Sequence, residues 1–179
     1  MIDRTITTFS SLLSDYLKRT FHLQEDIVVV QPVPTNPSGG DNKVHLTLVN
    51  IEREMSAGIS FTKRNISASY SQSGSPGWLL NLYVLISAIF SDKQYKEALQ
   101  LISAVVLYLQ AHNTFTLEKT GLSLAIEPVN LSMHELSNLW GMCGNTYYPS
   151  LLCKIRVLNI ESDAIRDIRP MVREKEVHL

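Results

Sequence analysis

Cysteine is nearly absent: Cys143 and Cys153 are the only two in 179 residues, too few for a disulfide framework. Their spacing matches neither a zinc ribbon nor a CxxC redox pair, which favours a reducing compartment. The five histidines, His22, His45, His112, His134 and His178, are scattered without HxxxH or HxH spacing, so no metal site is indicated. Charge is also scarce. Charged residues make up 18% of the chain and the net charge is −1, with no basic block, which removes the electrostatic footprint of a nucleic-acid binder. No apolar run is long enough to span a bilayer. The most hydrophobic stretch, residues 78–90, is interrupted by Asn81, Tyr83 and Ser87 and falls short of the roughly 20 residues a spanning helix needs. The N-terminus, MIDRTITTFSSLLSDYL, lacks the basic-then-apolar order of a signal peptide. GSPG at 74–77 lacks the glycine pattern and following helix of a phosphate loop. No internal repeat or low-complexity segment is present. The expectation is a protein without a membrane span, made and assembled in the cytoplasm.

What the chain does have is apolar material in clear periods. Hydrophobic residues form 45% of it, enough for a substantial core. Ile2, Ile6, Phe9, Leu13, Tyr16 and Leu17 recur at spacings of three and four, which predicts a helix over 3–19. Residues 26–31 (DIVVVQ) read as a short strand, and PVPTNPSGGDN after them as a surface loop. Residues 43–54 read as a strand in which Val44, Leu46 and Leu48 alternate with His45, Thr47 and Val49. Residues 55–77 are polar and read as a long loop, and 78–90 as a central strand covered on both faces. Asp92 opens a helix whose stripe is Tyr95, Ala98, Leu99, Ile102, Val105, Val106 and Leu109, ending near 112–113. Residues 122–127 and 150–160 read as two further strands. The order α-β-β-β-α-β-α-β predicts an α+β fold: a single domain over 1–160, with helices packed on a mostly antiparallel or mixed sheet. Residues 161–179 form a charged tail in which Pro170 breaks any helix.

The most specific segment is 130–158, NLSMHELSNLWGMCGNTYYPSLLCKIRVL. Ser132 and Glu135 fit a capping box, and Leu131 and Leu136 fit the hydrophobic staple. Leu136, Leu139 and Trp140 form the inward face of a short helix, and Gly141 or Gly144 ends it. A large aromatic at helical spacing is most simply core.

No catalytic set accompanies this motif. His134 lies in the first helical turn, Cys143 beyond the helix end and Cys153 in an apolar strand, a poor arrangement for an activated thiolate. Glu52 and Glu54 share a strand face, as exposed strand carboxylates ordinarily do. Asp163, Arg166, Asp167 and Arg169 read as a solvated face, with docking on a partner as the other reading. The expectation is no enzyme, no cofactor and no metal.

The same motif resembles the "NLS-x-E-x-x-NLW" signature of the N-terminal domain of contractile injection system cap proteins, the tail-terminator proteins of the antifeeding-prophage and Photorhabdus virulence cassette type. The residues carrying it are Asn130, Leu131, Ser132, Glu135, Asn138, Leu139, Trp140 and Gly141. KVHLTLVNIERE (43–54), the strand over 78–90 and YKEALQLISAVVLYLQAHNTF (95–115) are similar to further family segments, so the resemblance covers about residues 1–160.

The resemblance implies a tail-terminator-like fold and a structural role. A ring, expected as a hexamer, would close the distal end of the tube and sheath of a phage-tail-like particle, with self, inner tube and sheath proteins as partners. A baseplate adaptor or assembly chaperone of the same particle is the alternative. The signature residues are expected to shape the fold. The loop at 55–77 and the tail at 161–179 are expected to act as docking arms, by strand addition.

Overall fold

The structure is a computed structural model and describes residues 1–34, 42–54, 79–118 and 120–158. The loop at 55–77 and the tail at 161–179 lie outside these residues.

The first helix, α1 (Ile2–Phe21), follows from the apolar period at its start. Phe9, Leu13 and Leu17 lose essentially all contact with solvent, and Ile6 nearly so. Burying each large apolar side chain contributes about 1.5–3 kcal/mol. Asp3 sits in the first turn and Lys18 and Arg19 in the last, each sign matched to the helix dipole. The helix stops at His22, which turns left-handed (φ 54°) while its N–H bonds the Lys18 carbonyl. Asp26 in the following turn is tied back to α1 by the Lys18 ammonium and by the Ser14 hydroxyl, which donates at 3.0 Å. These bonds, Lys18 first, hold the Asp26 carboxyl below its ordinary range.

The remaining elements are β1 (Val28–Val30), β2 (Lys43–Arg53), β3 (Leu80–Ile89), a 3-10 turn (Asp92–Gln94), α2 (Tyr95–Ala111), β4 (Thr114–Leu117), β5 (Leu122–Pro128), α3 (Met133–Met142) and β6 (Ser150–Leu158). Among the described residues the strands make one six-stranded sheet in the order β1-β2-β3-β6-β5-β4. It is mixed, because β1 and β2 run parallel while every other neighbouring pair is antiparallel. The fold is therefore α+β, as the element order predicts.

Two details differ from the sequence reading. The strand β4 was not expected. It hairpins onto β5 through Gly121 at φ 64°, and its four residues alternate exposed and buried, too short a run to give a period. In β2 a bulge falls at Val49, since Leu48 faces Val84 and Asn50 faces Tyr83. One extra residue reverses the faces, so past it Glu52 shares a face with Asn81 and Tyr83. The helices cover both faces of the sheet, in keeping with the reading of 78–90 as a central strand covered on both faces.

On one face α1 and α2 pack against Val44, Leu46, Leu82, Val84, Ile86, Leu124, Ile126, Cys153 and Ile155. The α1 helix touches both edge strands, β1 and β4, so the sheet curls around it. Phe9, Tyr16 and Phe115 gather with Tyr108 at the centre, with Tyr16 and Tyr108 ring centroids 5.0 Å apart. On the other face Leu139 and Trp140 of α3 cover Leu85 and Ile89, joined by Val33 and Tyr148. The strand β3 serves both cores, as its unbroken apolar run predicts.

Candidate interaction site

The signature segment leaves the sheet at the end of β5, where the Val129 N–H bonds the Leu152 carbonyl at 2.8 Å. Ser132 then takes extended angles and caps α3. Both halves of a capping box are present: the Ser132 hydroxyl accepts the Glu135 N–H at 3.3 Å, and the Ser132 N–H donates to Glu135 Oε2 at 2.8 Å. The Ser132 hydroxyl also donates to that carboxylate at 2.7 Å. These bonds, the hydroxyl first, hold the Glu135 carboxyl below its ordinary range. Leu131 and Leu136 both pack on the second core, as a staple requires.

The helix runs through Gly141 and is capped at Cys143, whose N–H bonds the Leu139 carbonyl at 3.1 Å. Gly144 (φ 106°) and Asn145 (φ 62°) then reverse the chain. Of the two glycines named from the sequence, Gly144 makes the turn. Gly141 is an ordinary helical position, and a Cβ there would meet only Asn145 Oδ1 at 3.7 Å. Trp140 is buried edge-on to Tyr147, with centroids 5.6 Å apart, and also lies beside Tyr148. Its indole nitrogen is buried with no hydrogen-bond partner among the described residues, so packing alone holds the ring.

The eight signature residues therefore divide. Leu139 and Trp140 are buried, Leu131 is half-buried, and Ser132 and Glu135 complete the cap. Asn130, Asn138 and Gly141 are exposed. Among the described residues Asn138 reaches only His134, one turn away, with Nδ2 3.2 Å from Nε2. Its side chain does nothing for the core. Around these positions Met133 is 80% and Met142 79% exposed. Sequence reasoning missed these methionines, which flank the inward stripe on a helical wheel, Met133 beside Trp140 and Met142 beyond Leu139.

The chemistry of the segment is poor. Burial pushes the Cys153 thiol up to about 12 and the Cys143 thiol up as well, so neither favours the thiolate. His134 and Cys143 are nine positions apart on or just past α3, about 13 Å along the axis. Among the described residues no group of three His, Cys, Asp or Glu side chains is placed to hold a metal. Glu52 accepts the Tyr83 hydroxyl at 2.9 Å and Glu54 the Asn81 amide at 2.9 Å, while Arg156 donates to Glu127 at 2.6 Å. These polar pairs furnish the part of the second sheet face beyond α3. A groove of about 560 Å³ between α1 and the β4–β5 hairpin is lined by Thr7, Leu12, Thr116 and Leu117, among others, and holds no cysteine or histidine. Among the described residues no helix is long and apolar enough to cross a membrane.

Comparisons with known proteins agree with this scaffold. The whole chain superposes on the sheath/tube terminator of an extracellular contractile injection system, PVC, in its extended state, with a TM-score of 0.57 and 18% identity. It covers 64% of that protein, so the chain spans under two thirds of its length. The tube-terminating cap of the anti-feeding prophage matches over 91% of this chain and 59% of its own, at TM-score 0.51 and 15% identity. Both relatives are structural components of such particles. No curated protein sequence matches. The family model described as the Pvc16 N-terminal domain matches residues 4–174, nearly the entire chain, and the chain belongs to that family.

Proposed function

We propose that this protein terminates the distal end of the tube and sheath of a phage-tail-like contractile injection system, as a ring expected to be a hexamer. The observation that carries this reading is the fold match along the full chain to a sheath/tube terminator, together with family membership over residues 4–174. Two cores, a stapled helix and two cysteine thiols that burial disfavours as thiolates suit assembly better than catalysis. In a heterologous ring each subunit uses two different patches, and closure leaves no free patch for further growth. Of the signature residues, Leu131, Ser132, Glu135, Leu139 and Trp140 build the capped and stapled layer on the second sheet face, while Asn130, Asn138 and Gly141 lie on its exposed side. The loop at 55–77 and the tail at 161–179 act as docking arms toward tube or sheath. Assembly takes place in the cytoplasm before the protein joins the particle.

The test is the mass of the purified protein by light scattering, with negative-stain images. A closed ring of discrete mass is expected. A monomer that persists at millimolar concentration would count against the terminator reading and favour an adaptor or chaperone role.

A further inference from the structure

The outward faces of the three described α-helices differ in kind. The outer side of α1 carries Asp3, Arg4, Asp15 and Arg19, all exposed, the usual composition of a solvated helix. The outer side of α2 is charged only in its first turn, at Lys96 and Glu97. From Ala98 to Leu117 the chain has no Asp, Glu, Lys or Arg, yet Leu99, Gln100, Ser103, Leu107 and Gln110 all face solvent, Leu107 at 59% exposure. The outer side of α3 matches it. Between Pro128 and Pro149 the only such residue is Glu135, already bound in the cap, and the exposed set is Met133, His134, Ser137, Asn138, Gly141 and Met142. Depletion of charge with enrichment in methionine is the composition of interface cores.

We infer that these two faces are the two halves of one self-contact, α2 of one copy seating on α3 of the next. The inference rests on the ring reading and assigns its interface. Three observations select a second copy as the occupant. Beyond the first turn of α2 both faces lack charge, so Leu99 to Gln110 and the α3 face can be buried against each other without stranding an unpaired ion, which a charged partner surface would not permit. The helices lie on opposite faces of the sheet, so the patches point away from each other. Repeating such a contact runs head to tail and closes into a ring when the rotation allows. The shapes also fit. Ser137 and Gly141, one turn apart, leave a shallow row on α3 into which Leu99 and Leu107 of α2 can settle. Nothing among the described residues requires that glycine: its φ is not positive and a Cβ has room, while glycine weakens a helix relative to alanine. Close approach by a neighbour accounts for it.

The test uses the full chain with Leu107→Arg on one face and Asn138→Arg on the other. Each variant alone should lose the ring and sediment as a single chain, with an unchanged far-UV spectrum. Mixed in equal amounts, they should form a dimer, because each brings the intact half the other needs. Rings of normal mass from both variants would overturn the contact while leaving the terminator reading in place, and would give these faces to tube or sheath. Loss of rings with no dimer on mixing would overturn the pairing of α2 with α3. A wild-type chain that stays monomeric at millimolar concentration would remove the ring reading and this contact with it. Should either arginine disturb the fold, Gln100→Arg and Ser137→Arg probe the same two faces.

Discussion

Glu135 gives its carboxylate to Ser132 twice, once to the backbone N–H and once to the hydroxyl. Both bonds favour the charged form, so the folded carboxyl titrates below its ordinary value of 4.5. A depressed carboxyl contributes stability above the ordinary value, and that contribution is lost as pH falls through the folded value. Ser132→Ala should cost about 1 kcal/mol at neutral pH, the usual worth of an N-cap. Glu135→Gln should lose less stability than the wild type between neutral pH and about pH 3, because it has no carboxyl to protonate. Thermal melts at both pH values check this, with the Asp26 contribution common to the two proteins and so cancelling. Equal losses would mean that the cap carboxylate does not couple to folding. The residues concerned were legible in the sequence, since S-x-x-E before an apolar run has a local mechanism. The exposure of Asn138 was legible too, since it lies opposite Leu136, Leu139 and Trp140 on the wheel. That of Met133 was not: it lies beside Trp140 there, and tertiary packing leaves it outside.

At the scale of elements, α1 and α2 were legible because long apolar stripes repeat over several turns. The β4 strand was hidden because TFTL holds only two apolar positions, and the parallel pairing of β1 with β2 because local sequence carries no record of crossover connections. The end of α3 was half legible: two glycines were in range and only backbone angles decide between them. That decision gives Gly141 its experimental value. Gly141→Ala should stabilise the isolated subunit by about 0.5–1 kcal/mol, since alanine is the better helix former and the site has room. The same substitution should weaken ring formation, because the added methyl fills the row on which the neighbour's helix sits. Stability has to be read by denaturant titration on the Leu107→Arg background, where no ring contributes through mass action. A subunit destabilised by alanine would show that the glycine serves the fold after all.

For the whole molecule, one sheet carries two unequal cores. The larger encloses α1, with Phe9, Leu13 and Leu17 shut away from water and aromatic rings gathered around Tyr108. The smaller rests on Leu139, Trp140, Tyr148 and Val33 over β3. Removing α3 from the sheet would expose the smaller cluster and leave the larger one closed. Protection against hydrogen exchange should therefore be graded in the free subunit. Amides of α1 and β3 should open only with global unfolding, whereas those of α3 should exchange through a cheaper local opening. Ring formation should change that order in a specific way. In the assembled protein α3 and α2 should gain protection relative to the Leu107→Arg subunit, because opening either would now break the contact between copies. The charged outer side of α1 stays in water in both states, and its exchange should follow only the global stability. Exchange measured by mass spectrometry on ring and subunit separates these possibilities. Gain confined to α1, with α2 and α3 unchanged, would place the subunit contact on the charged face and refute the assignment made from the uncharged ones.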